Sequence, residues 1–193
     1  MDGPIAFSRL NDEAGRFYIV TGGPGSGKSS LISSMALKGF PAMPEAGRAI
    51  IQDQVMIGGS ALPWENRLAF AELMLSWELR SYKEAVKFDG PVFFDRGVPD
   101  VTGYLRLCGL EVPAHIWKAA QCFRYNKLVF LAPPWEAIYC LDVERRQSWA
   151  EAVATAKAMT DVYEELGYEV CLLPLVSVEE RVEFVLQTAG CIN

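Results

Sequence analysis

The stretch Phe17-Tyr18-Ile19-Val20-Thr21-Gly22-Gly23-Pro24-Gly25-Ser26-Gly27-Lys28-Ser29-Ser30 decides the fold. Its first five residues are apolar or β-prone and read as a short buried strand. The next six contain four glycines and a proline, a composition that favours neither helix nor strand. Lys28 and the serines then open a segment with Leu31, Ile32, Met35 and Ala36 on one helical face, which Gly39 ends. A glycine-rich loop between strand and helix can curl so that successive N–H groups point inward. The helix behind it adds unpaired first-turn N–H groups and the positive end of its dipole, so the concavity suits an anion.

Gly22-x-x-x-x-Gly27-Lys28-Ser29 matches the P-loop pattern in the strand-to-helix context that pattern requires. Gly22, Gly23, Pro24, Gly25, Ser26, Gly27, Lys28, Ser29 and Ser30 are therefore the expected nucleotide-binding set. Lys28 supplies a mobile charge for the β- and γ-phosphates, and Ser29 a hydroxyl for Mg²⁺.

The composition argues that any anion site is local. Net charge is -6 over 193 residues, so nothing global attracts nucleic acid or an anionic membrane. Five scattered cysteines, with no C-x-x-C pair, point away from a disulfide framework or structural zinc and toward reduced thiols in a cytoplasmic protein. No signal peptide and no membrane-length apolar run are apparent. His115 is the single histidine, and no Ser/His/Asp arrangement accompanies it. Trp64, Trp77, Trp117 and Trp149 are expected in the core; Trp135, after a strand, is a candidate pocket residue.

The rest of the chain alternates strands with helices. Short apolar runs at Val92–Phe94, Leu128–Leu131 and Tyr168–Leu173 read as strands, and the proline-flanked Phe40–Glu45 as a weaker one. Helices are expected over Ala46–Met56, Trp64–Val86, Pro99–Cys108 and Pro113–Phe123, and after capping boxes at Ser148 and Ser177. The long helix is expected to bury Leu68, Ala71, Leu75, Leu79, Tyr82 and Val86, and the helix after Ser148 to bury Trp149, Val153, Ala156, Thr160 and Tyr163. Such a series implies an α/β three-layer sandwich around a parallel sheet. We expect a single domain over 1–193, with an N-terminal extension over 1–15 and a candidate lid over 134–148.

Three further groups carry chemistry. Asp95 ends the Val92–Phe94 run, on the sheet edge where α/β proteins bind ligands. It can hold Mg²⁺ together with Ser29, or take a proton from a substrate hydroxyl. Arg96 beside it can contact substrate, offset charge on a transferring group, or form a structural ion pair. Glu45 and Arg48 follow the second strand; Glu45 can act as general base and Arg48 can bind an anionic group. Arg145 and Arg146, just before the capped helix, suit a segment that closes over phosphates.

These motifs, in this order, resemble the P-loop family of AAA-type predicted ATPases and the related nicotinamide riboside kinase domain of NadR-type proteins. The resemblance rests on Gly22–Ser29, Glu45-x-x-Arg48, Phe93-Phe94-Asp95-Arg96-Gly97, Pro133-Pro134-Trp135, Glu144-Arg145-Arg146-Gln147, and Gly167-Tyr168 with Pro174. It implies a P-loop kinase-like fold, strand order 2-3-1-4-5, binding ATP and Mg²⁺. Asp95 is followed by Arg96 rather than Glu, and no separate small helical domain follows the core, so a ring-forming motor is not expected. The leading expectation is an ATP-dependent phosphotransferase acting on a nucleoside, nucleotide or cofactor precursor. Its rival is an ATP-hydrolysing switch that reports to a protein partner. A GTP-dependent switch is disfavoured because no N-K-x-D sequence occurs.

Overall fold

The computed structural model describes residues 13–139 and 148–192. Five parallel strands form one sheet: β1 (Phe17–Gly22), β2 (Ala42–Met43), β3 (Val92–Asp95), β4 (Leu128–Ala132) and β5 (Glu169–Leu172), in the order β2-β3-β1-β4-β5. The helices are α1 (Lys28–Leu37), α2 (Ala46–Ile57), α3 (Arg67–Ala85), α4 (Val98–Leu107), α5 (Ala114–Cys122), α6 (Trp149–Glu165) and α7 (Val178–Thr188).

The strand residues alternate between two cores, which makes three layers. Phe17, Ile19, Val92, Phe94, Val129 and Leu131 face α3–α6, while Tyr18, Val20, Phe93, Phe130 and Ala132 face α1 and α7. The two sets share no face because successive strand side chains point to opposite sides. Phe17, Phe94, Tyr82 and Tyr125 pack in edge-on and tilted pairs 5.0–5.4 Å apart. Each ring so buried contributes roughly 2–3 kcal/mol by area alone. The register Val20↔Asp95 and Gly22↔Ala132 brings the carboxyl ends of β1, β3 and β4 to one edge, where Glu45 also arrives two residues beyond β2.

Both capping boxes form: Ser148 Oγ accepts from the N–H of Glu151, and Ser177 Oγ from that of Glu180, each at 3.3 Å. Other expectations need correction. The long helix starts at Arg67 rather than Trp64, because the Asn66 side chain caps it by accepting from the Ala69 N–H at 3.0 Å. Trp64 is left 63% exposed ahead of that cap, and Leu68 in the first turn is 46% exposed. Trp149 and Val153 also face outward. The buried face of α6 is Ala152, Thr155, Ala156, Met159, Val162 and Tyr163, rotated from the expected one. Small residues win that face because α6 packs tightly: a methyl added to Gly23 would run into the Ala152 carbonyl, and one on Gly103 would meet Met159 Sδ. β5 lies at the sheet edge, so Leu172 stays exposed. Of the candidate lid, residues 140–147, with Arg145 and Arg146, lie outside the described residues, as do residues 1–12 of the extension.

Candidate active site

Gly22–Gly27 wraps around the N-terminus of α1. Gly27 caps that helix in the left-handed region, at φ +83°, which a side chain would strain. No side chain caps α1, so its first-turn N–H groups stay available to an anion. Lys28 is 7% exposed and folds back to donate to the Gly23 carbonyl at 2.6 Å and to Ser26 Oγ at 3.3 Å. Burial, and then the neighbouring Arg96 charge, pull its pKa down to about 8, against Asp95, Glu45 and Asp100. Tyr139 lies over the loop, its ring within 2.8 Å of where a Gly25 Cβ would sit.

Ser29 Oγ lies 3.3 Å from Asp95 Oδ2, so the hydroxyl and carboxylate expected to share a cation are neighbours. Asp95 is 4% exposed, and its other oxygen, Oδ1, is enclosed with no hydrogen bond among the described residues. Burial pushes the Asp95 carboxyl up, partly offset by Lys28. A hydroxyl beside an under-satisfied buried carboxylate fits Mg²⁺, which takes hard oxygen donors and keeps several waters.

Arg96 is the only non-glycine residue with positive φ among the described residues, at +75°. That conformation costs about 1–2 kcal/mol in an L-residue. It turns the guanidinium back over the sheet edge, where Nε donates to Glu45 Oε1 at 3.1 Å and Nη1 to Asp100 Oδ1 at 3.2 Å. The Arg96 N–H meanwhile keeps the Val20 carbonyl at 3.0 Å. Burial works against ionisation of Glu45, but Arg96 and then Lys28 outweigh it and hold this carboxyl below its ordinary range. Arg48 lies one turn along α2, exposed, and adds to that effect.

Several residues here were not singled out from the sequence. Asp100 is a hub, accepting from Thr21 Oγ1 and the Tyr163 hydroxyl at 2.5 Å each and from the Gly97 N–H at 3.0 Å. It thereby ties β1, the Asp95–Gly97 corner and α6 together. An acid three residues past Gly97 at a helix start was the available signal. Arg181 on α7 is 2% exposed; Nε donates to the Pro174 carbonyl and Nη1 to the Ser26 carbonyl, each at 2.8 Å, and its charge sits 4.8 Å from the Trp135 ring centre. Trp135 therefore packs on a buried guanidinium beside the loop. Glu78 on α3 is 4% exposed, and burial, reinforced by the Asp100 carboxylate, pushes its carboxyl well above the usual range. His115, by contrast, lies at the surface against Glu72.

Comparison with known proteins follows this geometry. Residues 17–181 match the family AAA_28, described as an AAA domain. The chain belongs to this family. No curated protein matches the AAA_28 chain. Among solved structures, it is similar to NadR protein in complex with NR, at 16% identity and TM-score 0.65 over 92% of this chain and 51% of that one. It thus spans about half of NadR. It is also similar to deoxyadenosine kinase from M. mycoides (12% identity, TM-score 0.64, covering 91% and 100% of the two chains) and to thymidylate kinase from Ehrlichia chaffeensis (12%, 0.61, 89% and 97%). At these identities the likeness shows a shared P-loop kinase fold. No helix among the described residues is long and apolar enough to cross a membrane.

Proposed function

We propose that this AAA_28 domain is an ATP- and Mg²⁺-dependent phosphotransferase that moves a γ-phosphoryl group to a hydroxyl of a small molecule. One observation carries the reading: a second carboxylate, Glu45, held ionised by Arg96, lies at the same sheet edge as the Ser29–Asp95 pair. Transfer needs such a group to orient an acceptor hydroxyl; in the hydrolytic reading the same group would position a water instead. Deoxyadenosine kinase, among the similar structures, is named for a nucleoside, which agrees with the reading; thymidylate kinase is named for a nucleotide, whose acceptor atom is a phosphate oxygen.

The loop amides and Lys28 hold the phosphate tail, Lys28 exchanging the Gly23 carbonyl for a phosphate oxygen. Ser29 and Asp95 hold Mg²⁺. Held there, the cation would offset negative charge on the phosphate tail. Asp95 is thereby committed to the metal, and Glu45 accepts the hydroxyl proton. Because the transition state of phosphoryl transfer is loose, Glu45 chiefly orients the hydroxyl and takes its proton late. Arg96 fixes Glu45 and lends positive charge near the transferring group.

Incubation with Mg²⁺-ATP and a panel of nucleosides, nucleotides and vitamin precursors, read by mass spectrometry, tests this. A phosphorylated product supports transfer. ADP release with no acceptor consumed favours the switch, in which hydrolysis alters the surface offered to a protein partner.

A further inference from the structure

Asp100 carries a charge that its place at a helix start does not require. In the first turn of α4 its Oδ2 accepts from the Gly97 N–H at 3.0 Å and so caps the helix. A neutral amide serves that purpose as well. Yet Asp100 is only 5% exposed, and a charge is costly to bury unless it is paired and hydrogen-bonded. Its pairing explains the choice. Oδ1 accepts from Arg96 Nη1 at 3.2 Å and from Thr21 Oγ1 at 2.5 Å, and the Tyr163 hydroxyl adds a second bond to Oδ2. The two hydroxyls can turn to accept, but the Gly97 N–H and the Arg96 guanidinium only donate. They sit on different oxygens, so only a carboxylate satisfies both.

Arg96 is fixed at two points, Nε on Glu45 and Nη1 on Asp100, from a backbone held at φ +75°. On Glu45 alone the guanidinium would swivel about one bond and carry the carboxylate with it. Side-chain exposure rises along the series, from 6% at Asp100 through 18% at Arg96 to 34% at Glu45. Asp100 is thus the buried anchor, tied to β1 through Thr21 and to α6 through Tyr163, and Glu45 is the end open to an acceptor.

Resting on the phosphotransferase reading, we propose that Asp100 is a positioning residue for the transfer step: it locks the Arg96 guanidinium in the orientation that presents Glu45 to the acceptor hydroxyl. Asp100 touches neither acceptor nor nucleotide and acts only through Arg96.

The test is a double-mutant cycle on the full chain, with Mg²⁺-ATP and the panel of nucleosides, nucleotides and vitamin precursors as acceptors. Asp100→Asn keeps an oxygen on the Gly97 N–H and turns its amide against Arg96. It should lower kcat for acceptor phosphorylation about ten- to a hundredfold, as misplacement of an orienting group does. The acceptor KM and the Kd for ATP should stay within about threefold. In Glu45→Gln, which has already lost the group being positioned, the same substitution should change kcat less than about twofold. Tyr163→Phe removes one tie to the anchor and leaves Arg96 intact; it should lower kcat about two- to fivefold, again only where Glu45 is present. This variant decides the matter if Asp100→Asn does not fold. Equal losses with and without Glu45 mark a general strut and overturn the proposal, leaving phosphoryl transfer standing. So does a kcat unmoved by these substitutions, or a loss confined to KM or to the Kd for ATP. ATP hydrolysis with no panel member phosphorylated overturns phosphoryl transfer itself, and this proposal with it.

Discussion

Raising the pH should release nucleotide by discharging Lys28. With a pKa of about 8 in the nucleotide-free protein, this lysine is about 90% charged at pH 7 and about 10% charged at pH 9. If only the ammonium form grips the β- and γ-phosphates, the Kd for Mg²⁺-ATP should weaken about tenfold across that range. Binding at pH 9 should also take up about 0.9 proton per nucleotide, against about 0.1 at pH 7. Stability moves the other way. The folded pKa lies below the ordinary 10.5, so the buried charge weighs against the fold below pH 8 and is relieved as pH rises from 8 toward 10.5. The full difference is of order 3 kcal/mol. Lys28→Met should therefore be more stable than the wild type at pH 7 and lose most of that advantage by about pH 10. Calorimetry in two buffers of different ionisation enthalpy reads affinity and proton uptake together. A Kd constant within about twofold from pH 7 to 9, with no proton taken up, would refute the assignment of Lys28 as the titrating phosphate ligand.

Other perturbations separate the roles of neighbouring groups. Asp95→Asn should cut turnover by at least about a hundredfold while nucleotide binding, measured by calorimetry, changes little; unchanged turnover removes Asp95 from the mechanism. Gly23→Ala forces a methyl onto the Ala152 carbonyl and should lower stability by about 1–3 kcal/mol, seen as a drop in Tm with nucleotide affinity falling alongside. Ser177→Ala removes the α7 cap and should cost about 1 kcal/mol in denaturant unfolding without altering turnover per folded molecule.

The loop could be read before the structure because it rests on local spacing, whereas the sheet order came only through the family resemblance. The strand-glycine-lysine series from Phe17 to Ser30 has one physical use, and the resemblance it supports carried the order 2-3-1-4-5 that the structure shows. The placement of Asp95 beside Ser29 depended only on β3 neighbouring β1. What escaped were residues whose role depends on which way a helix is rolled. On α3 the apolar repeat pointed to Leu79, and the buried acid one position away, Glu78, was not singled out. On α6 the tryptophan drew the expected face toward itself, although close approach to Gly23 demands alanine there. Arg181 was hidden among Val178, Val182 and Val185, in a stripe that otherwise reads as core.

Arg181 also sets an order of events. The Ser26 carbonyl, at the heart of the phosphate loop, is fastened by a side chain 155 residues further along. During synthesis the glycines emerge early, but the strut that braces them belongs to the last helix. A nascent chain halted before α7 carries every letter of the nucleotide signature without the brace on Ser26, so firm ligand capture should wait for α7 rather than assist the start of folding.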